Sequence, residues 1–331
     1  MNDTNIVFIE RTFPSANMVL VKGKKPLLID TGFGSDIKGT KQLITEAGVK
    51  PEKIGQIVNT HYHSDHAGGN YYFQKNYRTP IAAHRWEAGA VNAVDPEACS
   101  AEWLDQPVEP YRIQQPLSEG DEITSGSTVL QAVETPGHTL GHLSFYAPEE
   151  EILMAGDLFH RDDLGWLNTF REGTAAIHRS MESLEKLSRF RIKKAYSGHG
   201  PAMDDPGTAI DKARKRTEKW LKEPEKVAWH GCKRVFAYTL MIKDGLHKNE
   251  INSYLLSCGW FRDFAKHAFN VEPADFLPVL MEEMIRSEAA LWHGEYLKAA
   301  ASYHAPDASW MNRNIKPKDW VRIGLPPAAI K

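Results

Sequence analysis

The chain has 331 residues, enough for about two domains at roughly 100–200 residues per domain. Apolar and aromatic residues make up 42% of it and charged residues 25%, with a net charge of −3. This ordinary globular composition excludes a disordered, collagen-like or membrane-spanning chain. No apolar stretch approaches the roughly 18 residues of a bilayer-spanning helix, and the first residues show no signal-peptide pattern.

The cysteines and the charge distribution add two constraints. Cys99, Cys232 and Cys258 are odd in number and far apart, which predicts reduced thiols in a cytoplasmic protein. Residues 205–331 contain 20 Lys and Arg against 16 Asp and Glu, whereas residues 1–204 contain 20 against 27. The basic excess of the C-terminal part is too small to predict a nucleic-acid-binding domain by itself.

The first 200 residues alternate short apolar runs with helical patterns. The predicted elements are, in chain order, a hairpin over 19–29, a helix over 37–47, strands over 54–58, 80–83 and 128–133, a hairpin over 143–154 and a helix over 177–187. Strands mixed with helices in this order predict an α/β sandwich, with sheets inside and helices outside.

After Pro206 the pattern becomes helical. Helices predicted over 208–222, 234–243, 248–256 and 274–287 precede a predicted hairpin over 290–297, an order typical of a winged-helix module. We therefore predict a catalytic domain over 1–205, a helical winged-helix-like cap over 206–305 and an irregular tail over 306–331. The cap is expected to pack beside the active site, and DNA binding is the less favoured alternative because the basic excess is small.

One segment, Asn59 to Gly69, dominates the chain. His61, His63, Asp65 and His66 lie within six residues, directly after a predicted strand. Imidazole and carboxylate groups are the ligands that divalent first-row metals prefer. Only 14 of the 331 residues are histidines, so chance clustering is improbable. This density of ligands is sufficient for two metal ions.

The segment resembles the signature of the metallo-β-lactamase superfamily. Four further motifs resemble family motifs in the same order, namely Leu28–Gly32, Thr135–Thr139, Ala155–Asp157 and Ser197–Gly200. The resemblance covers residues 15–205, about two-thirds of the chain, and implies the αββα sandwich of that family. The helical part that follows resembles family hydrolases with an appended winged-helix-like domain, some of which cut single-stranded RNA.

The resemblance also implies two divalent metal ions. Zinc fits the donor set best, and iron and manganese fit it too. The implied ligands are His61, His63 and His138 for one metal, Asp65, His66 and His199 for the other, and Asp157 as a bridge between them. Asp30 is implied to hold the ligands by hydrogen bonds, with a turn-capping role as the alternative.

Two metals about 3.5–4 Å apart lower the pKa of a shared water from 15.7 towards about 7, which predicts hydrolysis by a metal-bridging hydroxide. We predict Asp65 and His160 as catalytic residues. Asp65 would orient the hydroxide or carry a proton to the leaving group. His160 would donate a hydrogen bond to the substrate oxygen, or else is an exposed loop residue. Trp166 and Phe170 offer an apolar wall for an acyl chain, with a role in packing as the equal alternative.

Asp157 and the lack of an export signal favour the glyoxalase II, lactonase and ribonuclease branches over true β-lactamases. The sequence thus predicts a cytoplasmic hydrolase of a small ester, thioester or lactone, with a small-molecule substrate and no membrane partner. The first alternative is a metal-dependent phosphodiesterase or endoribonuclease acting on single-stranded RNA. A regulatory binding protein and a redox enzyme are the others, and the oligomeric state is not defined by the sequence.

Overall fold

The structure is a computed structural model that describes residues 5–324, apart from the side chains of residues 171 and 172. Two sheets lie at its centre, and both have their strands in chain order. The six-stranded sheet contains β1 (Ile6–Ile9), β2 (Met18–Val21), β3 (Leu27–Ile29), β4 (Gln56–Val58), β5 (Ile81–His84) and β6 (Gln115–Leu117). The five-stranded sheet contains β7 (Glu122–Ser125), β8 (Thr128–Glu134), β9 (Leu143–Ala147), β10 (Ile152–Gly156) and β11 (Lys194–Ser197).

Eight helices accompany these sheets in the part of the chain up to residue 222. They are α1 (Ile37–Glu46), α2 (Ser64–Ala67), α3 (Asn70–Tyr77), α4 (Arg85–Asn92), α5 (Ala101–Leu104), α6 (Thr169–Glu172), α7 (Ala175–Leu187) and α8 (Pro206–Lys222). The predicted hairpins pair as antiparallel β2–β3 and β9–β10, and the helix predicted over 37–47 is α1. These sequence predictions are therefore confirmed.

Strand alternation places each sheet between two apolar layers. In β2, Met18 and Leu20 pack in the layer that contains α1, α3 and α4. Val19 and Val21 point the other way, into the layer shared with the second sheet. The outer face of the second sheet packs against α7 and α8. The predicted αββα sandwich is thus confirmed, and it is stabilised by strands such as β2, β3 and β10 that are apolar on both faces.

The C-terminal part is helical, as predicted. It contains α9 (Pro224–Ile242), α10 (Ile251–Ser257), α11 (Gly259–Asp263) and α12 (Pro273–Arg286). A small sheet joins β12 (Leu246–His247), which lies between α9 and α10, with β13 (Ala290–His293) and β14 (Tyr296–Ala299) after α12. Helix α9 begins ten residues before the predicted start, because Pro224 suits a first helical turn, where its missing N–H costs nothing. Helix α11 was missed, because Trp260 and Phe261 are both buried and leave no amphipathic period.

Helix α8 connects the two parts of the molecule. Ala209, Ile210 and Ala213 of its first turns pack in the same layer as Leu184 of α7 and Ala195 of β11. Its last turns approach α9, where Trp220 packs with Val227. The division into three regions at residues 205 and 305 stays a prediction.

The segment after residue 305 is anchored in the core by Trp320. It contains α13 (Ala308–Met311) and α14 (Trp320–Ile323), and residues 325–331 of the predicted tail lie outside the described residues. Trp320 is fully buried against Tyr111, and its Nε1 donates to the carbonyl of Val108 at 2.8 Å. All three cysteines are free and buried. Among residues 5–324, no helix combines the length and apolarity needed to cross a bilayer.

Candidate metal centre

The histidine-rich segment lies where parallel strands end. Strands β3, β4 and β5 run parallel, so their carboxyl ends share one edge of the sheet. The chain leaves β4 at Val58, passes through a loop that carries His61 and His63, and enters α2 with Asp65 and His66. The three imidazoles are buried. The sequence therefore places four side chains of the predicted site on one sheet edge.

The second sheet supplies the other three predicted ligands from strand ends. His138 follows β8, Asp157 follows β10 and His199 follows β11. All seven residues come together in three groups whose possible ligand atoms lie within 4.8 Å of one another. The groups are His61, His63 and His138; His61, His66 and Asp157; and Asp65, His66 and His199.

In the first group, three imidazole nitrogens face one point. Nε2 of His61 lies 3.1 Å from Nδ1 of His63, which lies 2.9 Å from Nε2 of His138. Nδ1 of His138 donates to the carbonyl of Trp166 at 2.6 Å, which leaves its Nε2 lone pair free. Burial, and then neighbouring histidines, hold the pKa of His61 and His63 well below the usual value. Neutral imidazoles with converging lone pairs are ready for a cation.

The carboxylate of Asp157, a member of the second group, also lies close to histidines of the first and third groups. Its Oδ1 lies 3.4 Å from Nε2 of His66, while its Oδ2 lies 3.6 Å from Nε2 of His199 and 3.8 Å from Nε2 of His138. Asp65 Oδ2 lies 3.2 Å from the same nitrogen of His199. Asp157 therefore lies between the group of His61, His63 and His138 and the group of Asp65, His66 and His199. In this position, each oxygen of the carboxylate can bind a different cation.

Two buried atoms of the cluster have no hydrogen-bond partner within the described residues. They are Nε2 of His66 and Oδ1 of Asp157. A buried carboxylate oxygen without a partner is costly unless a cation or proton satisfies it. Burial alone would lower the pKa of His66, but Asp30, Asp157 and Asp65 raise it well above its usual value. The carboxylates of Asp30, Asp65 and Asp157 therefore favour a positive charge at this position. The His and Asp donors fit divalent metal ions.

Asp30 supports the cluster from outside. Its Oδ2 lies 2.8 Å from Nδ1 of His66 and accepts from the hydroxyl of Thr60 at 2.7 Å. Its Oδ1 accepts from the backbone N–H of Thr60 at 2.9 Å. The carboxylate therefore fixes both the ring of His66 and the loop before His61, which favours the predicted supporting role over a turn cap alone.

Two supporting residues were missed by the sequence analysis. His142 accepts from the backbone N–H of Asp157 at 3.0 Å, and its position four residues after His138 was the available signal. Glu87 is fully buried and accepts from the hydroxyl of Thr139 at 2.9 Å. Burial raises the pKa of Glu87 well above its usual value. Nothing in the local sequence of α4 marks Glu87, because its role depends on tertiary contact.

The cluster lies at the floor of a cleft of about 910 Å³. Phe13 stacks on His199 at 4.6 Å, and Trp166 stacks on His63 at 5.6 Å. Trp166 lines the cleft as predicted, whereas Phe170 packs into the helical core against Phe264. Phe13 lies far from the motifs in sequence and was not predicted.

His160 also lines the cleft, and it is not an exposed loop residue. Its ring lies 5.7 Å from that of His199, and its buried Nδ1 has no partner in the described part of the chain. Burial lowers the pKa of His160 to about 3, so the imidazole is neutral at neutral pH. A neutral imidazole in a cleft can donate one hydrogen bond and accept another.

The fold and the site together define an α/β sandwich protein of the metallo-hydrolase class. The chain belongs to the metallo-beta-lactamase superfamily, whose family model matches residues 11–199. A metallo-beta-lactamase family protein of Thermus thermophilus has the same fold. The TM-score is 0.53 at 21% identity, over 89% of this chain and 97% of that protein.

Two relatives are named by their activity. A hydroxyacylglutathione hydrolase of Hyphomonas neptunium is 27% identical over 186 residues, which cover 54% of this chain and 63% of the relative. An acyl-coenzyme A thioesterase of Gallus gallus is 28% identical over 212 residues, which cover 56% of this chain and 72% of the relative. The prediction of a metal-dependent hydrolase is thus confirmed at the level of class.

Proposed function

We propose that this protein is a dinuclear-metal hydrolase that cleaves an acyl thioester. The observation that carries the proposal is the position of Asp157 between two groups of histidines at the floor of an open cleft. Small esters and lactones are the other predicted substrates, and their hydrolysis also begins with attack on a carbonyl carbon. The predicted cytoplasmic location fits three buried, free cysteines.

The chain offers two sets of metal ligands. His61, His63 and His138 would hold one ion, Asp65, His66 and His199 would hold the other, and Asp157 would bind both. Zinc fits this donor set, and iron or manganese are the alternatives. When bound, such a metal pair supplies hydroxide at neutral pH and polarises the carbonyl oxygen of the substrate.

Two side chains of the cleft act on the substrate and on protons. Asp65 lies at the cleft surface with Oδ2 beside His199, where it can accept a proton and return it to the leaving sulfur. His160 is neutral and lines the same floor, so its N–H can donate to the carbonyl oxygen as negative charge develops there. Both roles match the sequence prediction.

The thioester is favoured over other carbonyl substrates by the relatives. Both named relatives act on acyl groups bound to a thiol, one on glutathione and one on coenzyme A. The cleft has room for such a carrier, because its volume of about 910 Å³ lies at the upper end of small-molecule sites.

A phosphodiesterase remains the second candidate, because six Lys and Arg side chains line the cleft. They are Arg216, Lys219, Lys226, Lys233, Arg234 and Arg286. Cations at such positions attract a phosphate backbone, and RNA binding would then weaken steeply with added salt.

A side-by-side assay tests the proposal. Protein loaded with zinc, manganese or iron is given acyl thioesters, aryl esters and lactones in one set, and an activated phosphodiester and single-stranded RNA in the other. The comparison variants are Asp157→Ala and Asp162→Ala, the latter an exposed carboxylate on the same loop. Thioester turnover that is lost only in Asp157→Ala supports the proposal. Turnover of phosphodiesters alone, or of no substrate, overturns it.

A further inference from the structure

One face of α9 lines the cleft along most of the helix. The residues on this face are Lys226, Trp229, His230, Lys233, Arg234, Ala237, Tyr238 and Met241. Their spacing of three or four positions keeps them on one side of a helix. At 1.5 Å per residue, the face extends for about 22 Å. A single helix therefore forms a continuous wall of the cleft.

The polarity of this wall changes at its middle. The N-terminal half carries Lys226, Lys233 and Arg234, and α8 adds Arg216 and Lys219 at the same end. The C-terminal half presents Ala237, Tyr238 and Met241, and Leu104 packs in one apolar cluster with Met241. The cleft thus has a cationic end and an apolar end.

The metal-ligand cluster faces the boundary between the two ends. Tyr238 lies edge-on to Phe13 at 6.3 Å, and Phe13 stacks on His199. One helical turn earlier, Arg234 forms an ion pair with Asp163, whose carbonyl accepts from the backbone N–H of His160 at 2.7 Å. The reacting bond of a substrate at the cluster would therefore lie between the two ends of the wall.

The cationic end keeps positive charge after its internal ion pairs are counted. Asp163 is shared by Arg216 and Arg234, and Glu283 is shared by Lys233 and Arg286. Lys226 pairs with Glu223. With Glu225 and Glu288, which also line the cleft, five carboxylates face the six cations. Lys219 and Lys226 are exposed. The cationic end therefore attracts an anionic group.

We propose that the cleft binds an acyl thioester whose thiol carrier bears several phosphates, as coenzyme A does. The phosphates contact the cationic end, the acyl chain lies along Tyr238 and Met241, and the thioester lies at the metal ligands. This inference rests on the proposed function. Water adds to the carbonyl carbon, the carbon–sulfur bond breaks, and the products are a carboxylate, the free thiol and one proton.

The charge of the carrier distinguishes it from smaller thiols. Glutathione has two carboxylates and one ammonium group, so it offers the cationic end a single net charge. A phosphorylated carrier offers several negative charges, and Arg and Lys bind phosphate well. The carrier's charge therefore contributes to binding in addition to the thioester itself.

The first experiment compares thioesters of one acyl group on three carriers: coenzyme A, glutathione and neutral N-acetylcysteamine. We expect kcat/KM to be about tenfold higher for the coenzyme A ester than for the neutral ester, and the ratio to shrink with added salt. A ratio near one, or one that does not change with salt, overturns the inference. Hydrolysis of none of the three overturns the proposed function instead.

The second experiment reverses two exposed charges. Lys219→Glu with Lys226→Glu is compared with Lys24→Glu and Lys25→Glu, which make the same charge change in the turn between β2 and β3. Each exposed ion pair contributes on the order of two- to fivefold, so the carrier ratio should fall about tenfold in the first variant. A ratio that falls equally in both variants, or in neither, contradicts the proposed site.

A binding measurement separates the site from turnover. Adenosine 3′,5′-bisphosphate, the nucleotide part of coenzyme A, has no thiol that could ligate a metal. Titration calorimetry should show it binding about tenfold more weakly to the Lys219→Glu/Lys226→Glu variant than to the unchanged protein. If it binds neither protein while thioesters are hydrolysed, the carrier inference fails and the proposed function stands.

Discussion

The carboxylate of Asp30 and the imidazole of His66 form a buried pair, with Oδ2 of Asp30 2.8 Å from Nδ1 of His66. The pair fixes the orientation of the ring, so that Nε2 points at Asp157. Because the same carboxylate accepts two hydrogen bonds from Thr60, it also holds the loop that carries His61. One residue from the turn after β3 thus orients two parts of the metal cluster.

Replacing Asp30 with Asn should weaken metal binding about 10–100-fold. The amide keeps the size of the side chain but loses the charge that favours the N–H of His66. Competition with a chromophoric chelator measures the affinity. The control is Asp204→Asn, which removes an exposed carboxylate paired with Lys194. Equal affinities for the two variants would contradict the supporting role of Asp30.

Metal removal should lower thermal stability through the same cluster. A ligand present at 100 times its Kd stabilises the folded state by about 2.7 kcal/mol, so a chelator should lower the unfolding temperature of the unchanged protein. Asp157→Ala should show little further change on chelation, because it lacks the carboxylate between the two groups. An equal fall in both proteins would contradict that position for Asp157.

The strand pattern and five motifs were sufficient to predict the sandwich and to name the residues that meet in the cluster. Period-two alternation in β2 assigns Met18 and Val19 to opposite faces without any tertiary information. The candidate ligands could be named because each of their four motifs follows a strand. Both predictions depend on local sequence.

The cap was expected beside the active site, but the residues that form the cleft wall could not be predicted, because the wall depends on packing between distant segments. Arg234 is 77 positions from Asp157, and no local pattern shows that α9 crosses the metal cluster. The roles of Phe13 and Glu87 could not be predicted for the same reason, because each depends on a contact with a residue far away in the sequence. Trp320 belongs to the segment predicted as an irregular tail, yet its indole enters the core.

Asp105 joins three segments of the C-terminal part to α5. It contacts Nζ of Lys316 at 2.6 Å, Nζ of Lys243 at 3.2 Å and the hydroxyl of Tyr254 at 2.9 Å. Asp105→Asn should destabilise the protein by about 2–3 kcal/mol, because it removes the close charge partner of the nearly buried Lys316 and leaves only Glu102, 3.9 Å away. Urea unfolding measures the loss, and Asp307→Asn, in an exposed turn, is the control.

The effect of Asp105 should depend on pH. Burial alone would raise the pKa of Asp105, but Lys243 and Lys316 lower it below the ordinary value of 3.8. The unfolded chain therefore binds a proton more readily, and the stability from Asp105 is present above about pH 4 and lost as the pH falls further. Unfolding curves of the unchanged protein and Asp105→Asn should converge in acid. A constant difference down to pH 2 would contradict this assignment.

Trp320→Ala should cost about 3–5 kcal/mol of stability, since it empties a large buried site and removes the hydrogen bond to Val108. The matched control is Trp292→Ala on β13, where the indole is 46% exposed. Thermal unfolding measures both. Similar small effects would show that the segment after residue 305 does not contribute to the core.

Replacing Trp166 distinguishes metal binding from recognition of the acyl chain. Its backbone carbonyl accepts from Nδ1 of His138, and this contact persists when the side chain is removed. Its ring stacks on His63 with an interplanar angle of 12° and forms part of the cleft wall. Trp166→Ala should therefore bind metal nearly as tightly as the unchanged protein.

Loss of the ring should instead reduce the preference for long acyl chains. An aromatic contact contributes about 0.5–1.5 kcal/mol, so kcat/KM for a long-chain thioester should fall about two- to tenfold relative to acetyl thioester. Trp166→Phe should restore part of the preference, because it returns an aromatic ring to the wall. Steady-state kinetics over a series of chain lengths, with metal content measured on each sample, tests both expectations. A uniform loss at every chain length, or a loss of metal, would show that Trp166 supports the metal cluster rather than the substrate.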